Sequence, residues 1–267
     1  MSSATLSTPS ARVLITGGGR GIGFEVARDL AAADHKLWLA ATSDKVHEAA
    51  RELGPAHRSS CLDISDAQSV HSLFAEIQRE WRGLDAVVHA AAELGQTGHF
   101  WHLDPEKFTR TLCVNTMGSF LIAKSFVQSW LDTSAAHPGH RGKIVLFAGG
   151  GAGYGYPHFL PYGTSKAAAV RMCETMAMEL DAADIPVDIN VIAPGANETS
   201  MLAAVRAAGG EVRTVVPFSK PIALCRWLLS PAADGISGRF IHVNDPYSTL
   251  SPAALRSEAL KLRRIDL

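Results

Sequence analysis

The run RVLITGGGRGIGFEVARDLAAA, residues 12–33, constrains the fold more than any other stretch. A short β-rich run ends in glycines, and apolar residues at helical spacing follow at once. A strand that passes straight into a helix leads to a crossover connection, not to a hairpin. The same alternation continues down the chain. KLWLAA (36–41) and VHEAARELG (46–54) read as the second strand and helix, and SSCLDIS (59–65) contains a third strand. In DAQSVHSLFAEIQREW (66–81), Val70, Leu73, Phe74, Ile77 and Trp81 share one helical face, with Asp66 near its start. LDAVVHAAA (84–92) is a fourth strand, and one long helix is expected over about 107–131. GKIVLFA (142–148) is a fifth strand, PYGTSKAAAVRMCETMAMEL (161–180) another long helix, VDINVIAPG (187–195) a sixth strand and GRFIHV (238–243) a seventh.

Strands alternating with helices imply right-handed crossovers and a parallel sheet covered on both faces. No internal repeat or linker divides the 267 residues, so the expectation is a single α/β domain. Apolar residues at 47 % and charged residues at 19 % supply a large core and argue against disorder. A net charge of −1 lacks the basic excess of a nucleic-acid surface. No apolar run reaches membrane-spanning length, and residues 1–10 read as a short disordered lead without the apolar core of a signal peptide. Cys61, Cys113, Cys173 and Cys225 are widely spaced and read as reduced thiols of a cytoplasmic protein. His99 and His102 lie three apart with no third ligand nearby, so no metal site is expected.

In open parallel sheets, ligands bind beyond the carboxyl ends of the strands, where the strand order reverses. Glycines at 17, 21 and 23 let the backbone approach a pyrophosphate, and Gly19, Arg20 and Ile22 complete the loop. The helix behind it offers free N–H groups and the positive end of its dipole. A glycine motif alone is a weak sign. Its position between the first strand and the first helix makes it a nucleotide site.

TGGGRGIG (16–23), LDI (62–64), HAAA (89–92), VNTMG (114–118), YGTSK (162–166) and APGANET (193–199) follow one another in a characteristic order and spacing. On these motifs, over about residues 11–245, the chain resembles the short-chain dehydrogenase/reductase family of classical type. The resemblance implies a Rossmann-type doubly wound parallel sheet of about seven strands and a nicotinamide cofactor. It implies that Asp63, with Ile64 beside it, meets the adenine, and that Ala90, Ala91 and Ala92 flank the cofactor through their backbone. It assigns Pro194, Gly195, Asn197 and Thr199 to the nicotinamide end, although Asn197 stands where the family usually has an aliphatic residue.

The end of the second strand bears on the choice of cofactor. An acid there would bind both ribose hydroxyls of NAD and repel a 2′-phosphate. This chain has Ala41, Thr42 and Ser43 instead, and Arg20 can pair with a phosphate. NADP(H) is therefore favoured over NAD(H), with Asp44 still able to reach a ribose.

Delivering hydride to a carbonyl requires a proton for the developing alkoxide. Free tyrosine, with a pKa of about 10, is a poor base near neutrality, and a nearby cation lowers that value. Lys166 lies one helical turn after Tyr162, so the two face the same way. By resemblance, Tyr162 is the acid or base, Lys166 also holds the nicotinamide ribose, and Asn115 kinks the long helix and binds a relay water. The family's serine or threonine, thirteen residues before the tyrosine, is replaced here by Gly149, between Ala148 and Gly150. Losing such a donor can cost about 10²–10³ in rate. Three readings stay open: a backbone N–H or water takes the role, the substrate supplies its own hydroxyl, or the chain does not carry out ordinary carbonyl reduction.

On the substrate side, Glu93 follows the fourth strand and reads either as a ligand for a hydroxyl or amine or as a solvated acid. His158 and Phe159 precede Tyr162, and His158 is a candidate substitute proton donor. Tyr154, Tyr156 and Trp101 offer aromatic surface. Residues 200–220 correspond to a short lid in which MLAAVRAAGG (201–210) is helical and ends in hinge glycines. The small-molecule substrate expected is a sugar, a cyclic alcohol or a secondary-metabolite intermediate. Residues 246–267 form an amphipathic tail (Leu255, Leu260, Leu262) that packs on the body or on a neighbouring subunit. A homo-oligomer, dimer or tetramer, is expected through the helices at about 107–131 and 160–181. The activity expected is interconversion of an alcohol and a carbonyl. Its rivals are an isomerase, epimerase or dehydratase on the same fold, and a nucleotide-binding sensor without turnover.

Overall fold

The computed structural model of the chain describes residues 10–133, 139–149, 151–212 and 215–263. The proposed lead, residue Gly150, two residues of the lid segment and the last four residues of the tail lie outside the described residues, apart from Ser10. Seven parallel strands form one sheet in the order β3-β2-β1-β4-β5-β6-β7. They are β1 (Arg12–Thr16), β2 (Lys36–Ala41), β3 (Arg58–Cys61), β4 (Ala86–His89), β5 (Gly142–Phe147), β6 (Val187–Ala193) and β7 (Arg239–His242). The chain builds outward from β1 in one direction, then returns to add β4 on its other side. That reversal opens a crevice at the carboxyl ends of β1 and β4.

Side chains alternate across a strand, so each strand supplies both faces of the sheet. Val13, Ile15, Val88 and Val145 pack under α1 (Gly21–Ala32), α2 (Lys45–Leu53) and α8 (Ser219–Leu229). Leu14, Val87, Ile144 and Ile189 pack under α3 (Ala67–Trp81), α5 (Gly118–Thr133) and α6 (Leu160–Ala182). The expected face of α3 is buried through Val70, Leu73, Phe74 and Ile77, and the half-buried Trp81 meets Trp38 edge-on at 5.1 Å. Asp66 caps α3 by accepting from the backbone N–H groups of Gln68 and Ser69.

The single long helix expected over 107–131 is instead α4 (Pro105–Leu112), one π turn (Cys113–Met117) and α5. The wider turn carries Asn115 inward. There its Nδ2 donates to the Glu93 carbonyl (2.8 Å) and to Ser165 Oγ (3.0 Å), while its Oδ1 accepts from the Glu93 N–H (2.9 Å). The first helix also begins three residues earlier than its apolar pattern, at Gly21, and β3 stops at Cys61, leaving Asp63 and Ile64 in the loop beyond it.

The chain after β7 runs through turns back onto the body. Leu255 and Leu260 join the α1/α8 side of the core, and Leu262 joins the α6 side. The Phe240 N–H donates to the Leu260 carbonyl (2.7 Å), which covers part of the β7 edge. The Leu262 N–H and the Arg263 guanidinium both donate to the buried carboxylate of Glu174 on α6. Among the described residues, no helix is long and apolar enough to cross a membrane.

At the amino end of β6, away from the crevice, Asp188 is 1 % exposed. It accepts from Arg141 Nε (3.0 Å) and Nη2 (2.8 Å), from Lys143 Nζ (2.7 Å) and from the Gly235 N–H (3.1 Å). Removing a buried carboxylate from an ion network costs about 3–5 kcal/mol when its partners are left unpaired; here Lys143 keeps Asp234 at 2.6 Å and Arg141 is partly solvated, so the lower end of that range applies. Asp188→Ala is expected to lose about 3 kcal/mol in urea unfolding followed by circular dichroism.

Candidate active site

A cleft of about 940 Å³ lies over the carboxyl ends of the strands. Gly17, Gly19, Arg20, Gly21, Ile22 and Gly23 form one side of it. Gly17 has a φ of +69°, and a Cβ there would stand 2.7 Å from the Ala91 nitrogen. A Cβ on Gly23 would overlap the Gly17 carbonyl oxygen. Glycine therefore lets the loop, the end of β4 and the start of α1 close on one another. Helix α1 has no side-chain cap, which leaves its first N–H groups for an anion.

Ala41, Thr42 and Ser43 line the same cleft, as does Lys45 at the start of α2. Lys45 lies one residue before the helix expected at 46–54 and carries no motif of its own; a basic residue two positions after paired hydroxyls is the available signal. Among the described residues, neither Arg20 nor Lys45 takes part in an ion pair. Asp44 is exposed and is not on the cleft wall.

Leu62, Asp63 and Ile64 form the next part of the wall. Burial alone would raise the Asp63 carboxyl, but hydrogen bonds from Ser65 and Arg110 outweigh it and hold the pKa below the usual carboxylate range. Arg110 reaches Asp63 Oδ2 at 2.7 Å from α4 and also lines the cleft. No local pattern in the sequence connects these two residues.

Ala90, Ala91, Ala92, Pro194, Gly195, Asn197 and Thr199 complete the cofactor-assigned set around the cleft. Thr199 Oγ1 accepts from the Leu202 N–H (3.2 Å) and so caps α7 (Ser200–Ala207), the helix of the lid segment. Asn197 is 3 % exposed; its Nδ2 donates to the Val216 carbonyl (2.8 Å), and its Oδ1 has no partner among the described residues. The Val216 N–H in turn donates to the Ala196 carbonyl (3.0 Å), beside a parallel bridge between Ala196 and Val215. Both ends of the lid segment are thus tied to the loop after β6. Beneath the cleft floor, His89 is buried with Nδ1 2.7 Å from Thr16 Oγ1. Burial, with the charge of Lys166 adding to it, pushes His89 down to about 3, so its ring is neutral.

Tyr162 and Lys166 both lie buried on α6 and line the cleft. Lys166 Nζ donates to the Phe147 carbonyl (2.9 Å) and stands 5.6 Å from the centre of the Tyr162 ring. Burial, with Tyr156 and Tyr154 adding to it, pushes Tyr162 up to about 12. Burial brings Lys166 down to about 8. Desolvation of the phenolate is the main cause of the rise at Tyr162.

The glycine at 149 has a geometric reason. A Cβ there would overlap the Tyr162 hydroxyl and lie 3.0 Å from two of its ring carbons. The phenol occupies the space that a side chain at 149 would need.

Among the substrate candidates, Glu93 and Tyr156 line the cleft. Glu93 Oε1 accepts from Thr111 Oγ1 (3.0 Å), and Tyr156 donates to the Glu211 carbonyl (2.9 Å). His158 is exposed and off the cleft wall, at a φ of +68°, with its ring edge-on to His99. It does not share the cleft wall with Tyr162. Trp101 is likewise exposed, stacked on His99, while Tyr154 lines the cleft. Phe240 and His242, at the carboxyl end of β7, also line it and were not foreseen.

The pattern of the short chain dehydrogenase family matches residues 11–209. The chain belongs to the short-chain dehydrogenase/reductase family. It is 29 % identical to a trihydroxynaphthalene reductase of Colletotrichum orbiculare over 194 residues, covering 70 % of this chain and 65 % of that one. It is 29 % identical to versicolorin reductase 1 of Aspergillus parasiticus over 256 residues, covering 86 % and 94 %. A short-chain type dehydrogenase/reductase of Mycobacterium ulcerans superposes with a TM-score of 0.79 at 26 % identity, covering 89 % of this chain and 90 % of that one.

Within this family member, Gly149→Ala is expected to displace the Tyr162 phenol and lower kcat/KM by about 10²-fold, the scale of a misplaced reacting group. Steady-state kinetics test this, with unchanged circular dichroism and unchanged cofactor affinity as controls for folding.

Proposed function

We propose that the protein is an NADP(H)-preferring oxidoreductase that interconverts an alcohol and a carbonyl on a small hydroxylated ring compound. The observation that carries this reading is the Tyr162 hydroxyl, buried beside Lys166 in the same cleft as the glycine loop. A bound nicotinamide supplies or accepts the hydride. In reduction, Tyr162, with its pKa up at about 12, holds its proton until the substrate oxygen takes it. The Lys166 ammonium, 5.6 Å from the ring centre, offsets the charge left on the phenolate. Arg20, Lys45, Thr42 and Ser43 form a set of cations and hydroxyls suited to a 2′-phosphate. The relatives named for a trihydroxynaphthalene and for versicolorin favour a ring substrate. The exposed Phe120 and Leu131 on α5, and Leu160 and Met178 on α6, favour a homo-oligomer through these helices. Four free cysteines fit a cytoplasmic setting.

The missing hydroxyl at 149 favours a second reading, an isomerase, epimerase or dehydratase with Tyr162 as base. The raised pKa of Tyr162 counts against it. Nicotinamide absorbance, followed across hydroxylated cyclic ketones and alcohols, separates the readings. Net cofactor conversion supports the oxidoreductase, product without net conversion the isomerase, and binding without product a sensor.

Tyr162→Phe is expected to lower turnover by about 10²–10⁴-fold, the usual contribution of a general acid, with cofactor affinity retained. Arg20→Ala and Lys45→Ala are each expected to weaken NADPH binding about tenfold and leave NADH binding unchanged, as read by cofactor fluorescence titration. Reductive kcat/KM should fall as pH rises through about 8, where Lys166 loses its proton, while Tyr162 stays protonated. Lys166→Arg should move that fall to higher pH.

A further inference from the structure

Resting on an adenine dinucleotide as the cofactor, whatever the reaction, we infer that Arg110 is a second reader of the adenine ring beside Asp63. The Asp63 carboxylate accepts a hydrogen bond from the 6-amino group of the base. The Arg110 guanidinium donates to a ring nitrogen that flanks this amino group, N1 or N7.

Asp63 stands in the loop after β3 and Arg110 in the last turn of α4, and both line the cleft. Arg110 Nη2 donates to Asp63 Oδ2 (2.7 Å), and Nη1 donates to Ser65 Oγ (2.9 Å). Ser65 in turn donates to Asp63 Oδ1 from its N–H (2.9 Å) and from its hydroxyl (2.7 Å). The guanidinium is thus held at two points of one loop. Asp63 Oδ2 keeps a lone pair beyond the Arg110 bond, and Arg110 Nη2 keeps a second N–H. An acceptor and a donor therefore stand side by side on the cleft wall. Adenine presents the complement, an amino donor flanked by ring-nitrogen acceptors. Ile64, next after Asp63, and Val114, four residues after Arg110, are buried apolar side chains on the same wall. Apolar surface beside a donor–acceptor edge suits a flat heterocycle.

Glu93 gives a second reason for a cation at this place. Its Oε2 lies 3.9 Å from Arg110 Nε, so one guanidinium faces two carboxylates in the wall of a site for an anionic pyrophosphate. Charge compensation alone would act on every nucleotide alike, whereas a hydrogen bond to the base depends on the ring atom that accepts it. The Arg110 and Asp63 side chains are 49 % and 36 % exposed. An ion pair so open to water adds little to stability, so Arg110 variants are expected to fold.

The test measures displacement of fluorescent NADPH or NADH from the full chain by ADP and three analogues. Purine riboside diphosphate lacks the 6-amino group, 1-deaza-ADP lacks N1 and 7-deaza-ADP lacks N7. On the unmodified protein, purine riboside diphosphate and one of the two deaza compounds are each expected to compete about tenfold less well than ADP, the scale of a hydrogen bond to a charged group. Arg110→Met, which keeps an unbranched stem, should weaken ADP by about the same factor. It should also erase the difference between ADP and that deaza compound, while the cost of the missing amino group stays, because Asp63 remains. Circular dichroism checks the fold of the variant. Neither deaza compound differing from ADP, or Arg110→Met weakening all four competitors by one common factor, would overturn the inference and leave Arg110 a charge alone. Equal competition by ADP and purine riboside diphosphate would overturn it through Asp63. Failure of both NADPH and NADH to bind would overturn the dinucleotide reading itself.

Discussion

Asn115 is the joint that the rest of the site depends on. One buried amide ties three elements together: the π turn that carries it, the backbone of Glu93 after β4, and Ser165 on α6. Its hydrogen-bonding groups are satisfied inside the protein, where the low dielectric makes a well-formed bond strong and an unmade one costly. Ser165 passes the connection on by donating to the Tyr162 carbonyl (2.7 Å). The height of the α6 turn bearing Tyr162, relative to the strand ends, is therefore set by an asparagine on a different helix. A regular α-helical turn would not present that side chain in the same way, so the π turn is part of the site's construction.

Burial acts on Tyr162 and Lys166 in opposite directions. It raises the phenol and lowers the ammonium, so both tend toward their neutral forms. A neutral phenol suits proton delivery, while a charged lysine suits the phenolate that delivery leaves behind. At neutral pH the two requirements are met together. His89 beneath them stays neutral as well, so Lys166 is the strongest positive charge from a side chain that the buried floor can offer.

Much of this architecture is legible in the order of the residues. The strand–helix alternation is periodic over many residues, and the glycine loop follows β1 directly. The positions of Tyr162 and Lys166 on one helical face follow from their spacing. What escaped notice shares one character: it depends on residues distant in sequence meeting in space. Lys45, Arg110, Phe240 and His242 reach the cleft from three separate elements, α2, α4 and β7. The π turn inserts into an otherwise regular helical pattern, which apolar spacing does not register. His158 sits close to Tyr162 in sequence, yet it lies off the cleft wall. The glycine at 149 is legible as a missing hydroxyl, whereas the Tyr162 phenol that fills its place is set by the folded geometry.

The lid segment is an arch with both feet on the same ground. Thr199 stands at one foot, where a Cβ on Gly21 of the glycine loop would lie 3.4 Å from its methyl carbon, and Val216 pairs with Ala196 at the other. Because both feet rest on the loop after β6, the lid segment and the cleft wall share one footing, and a substitution at Asn197 or Thr199 alters both at once.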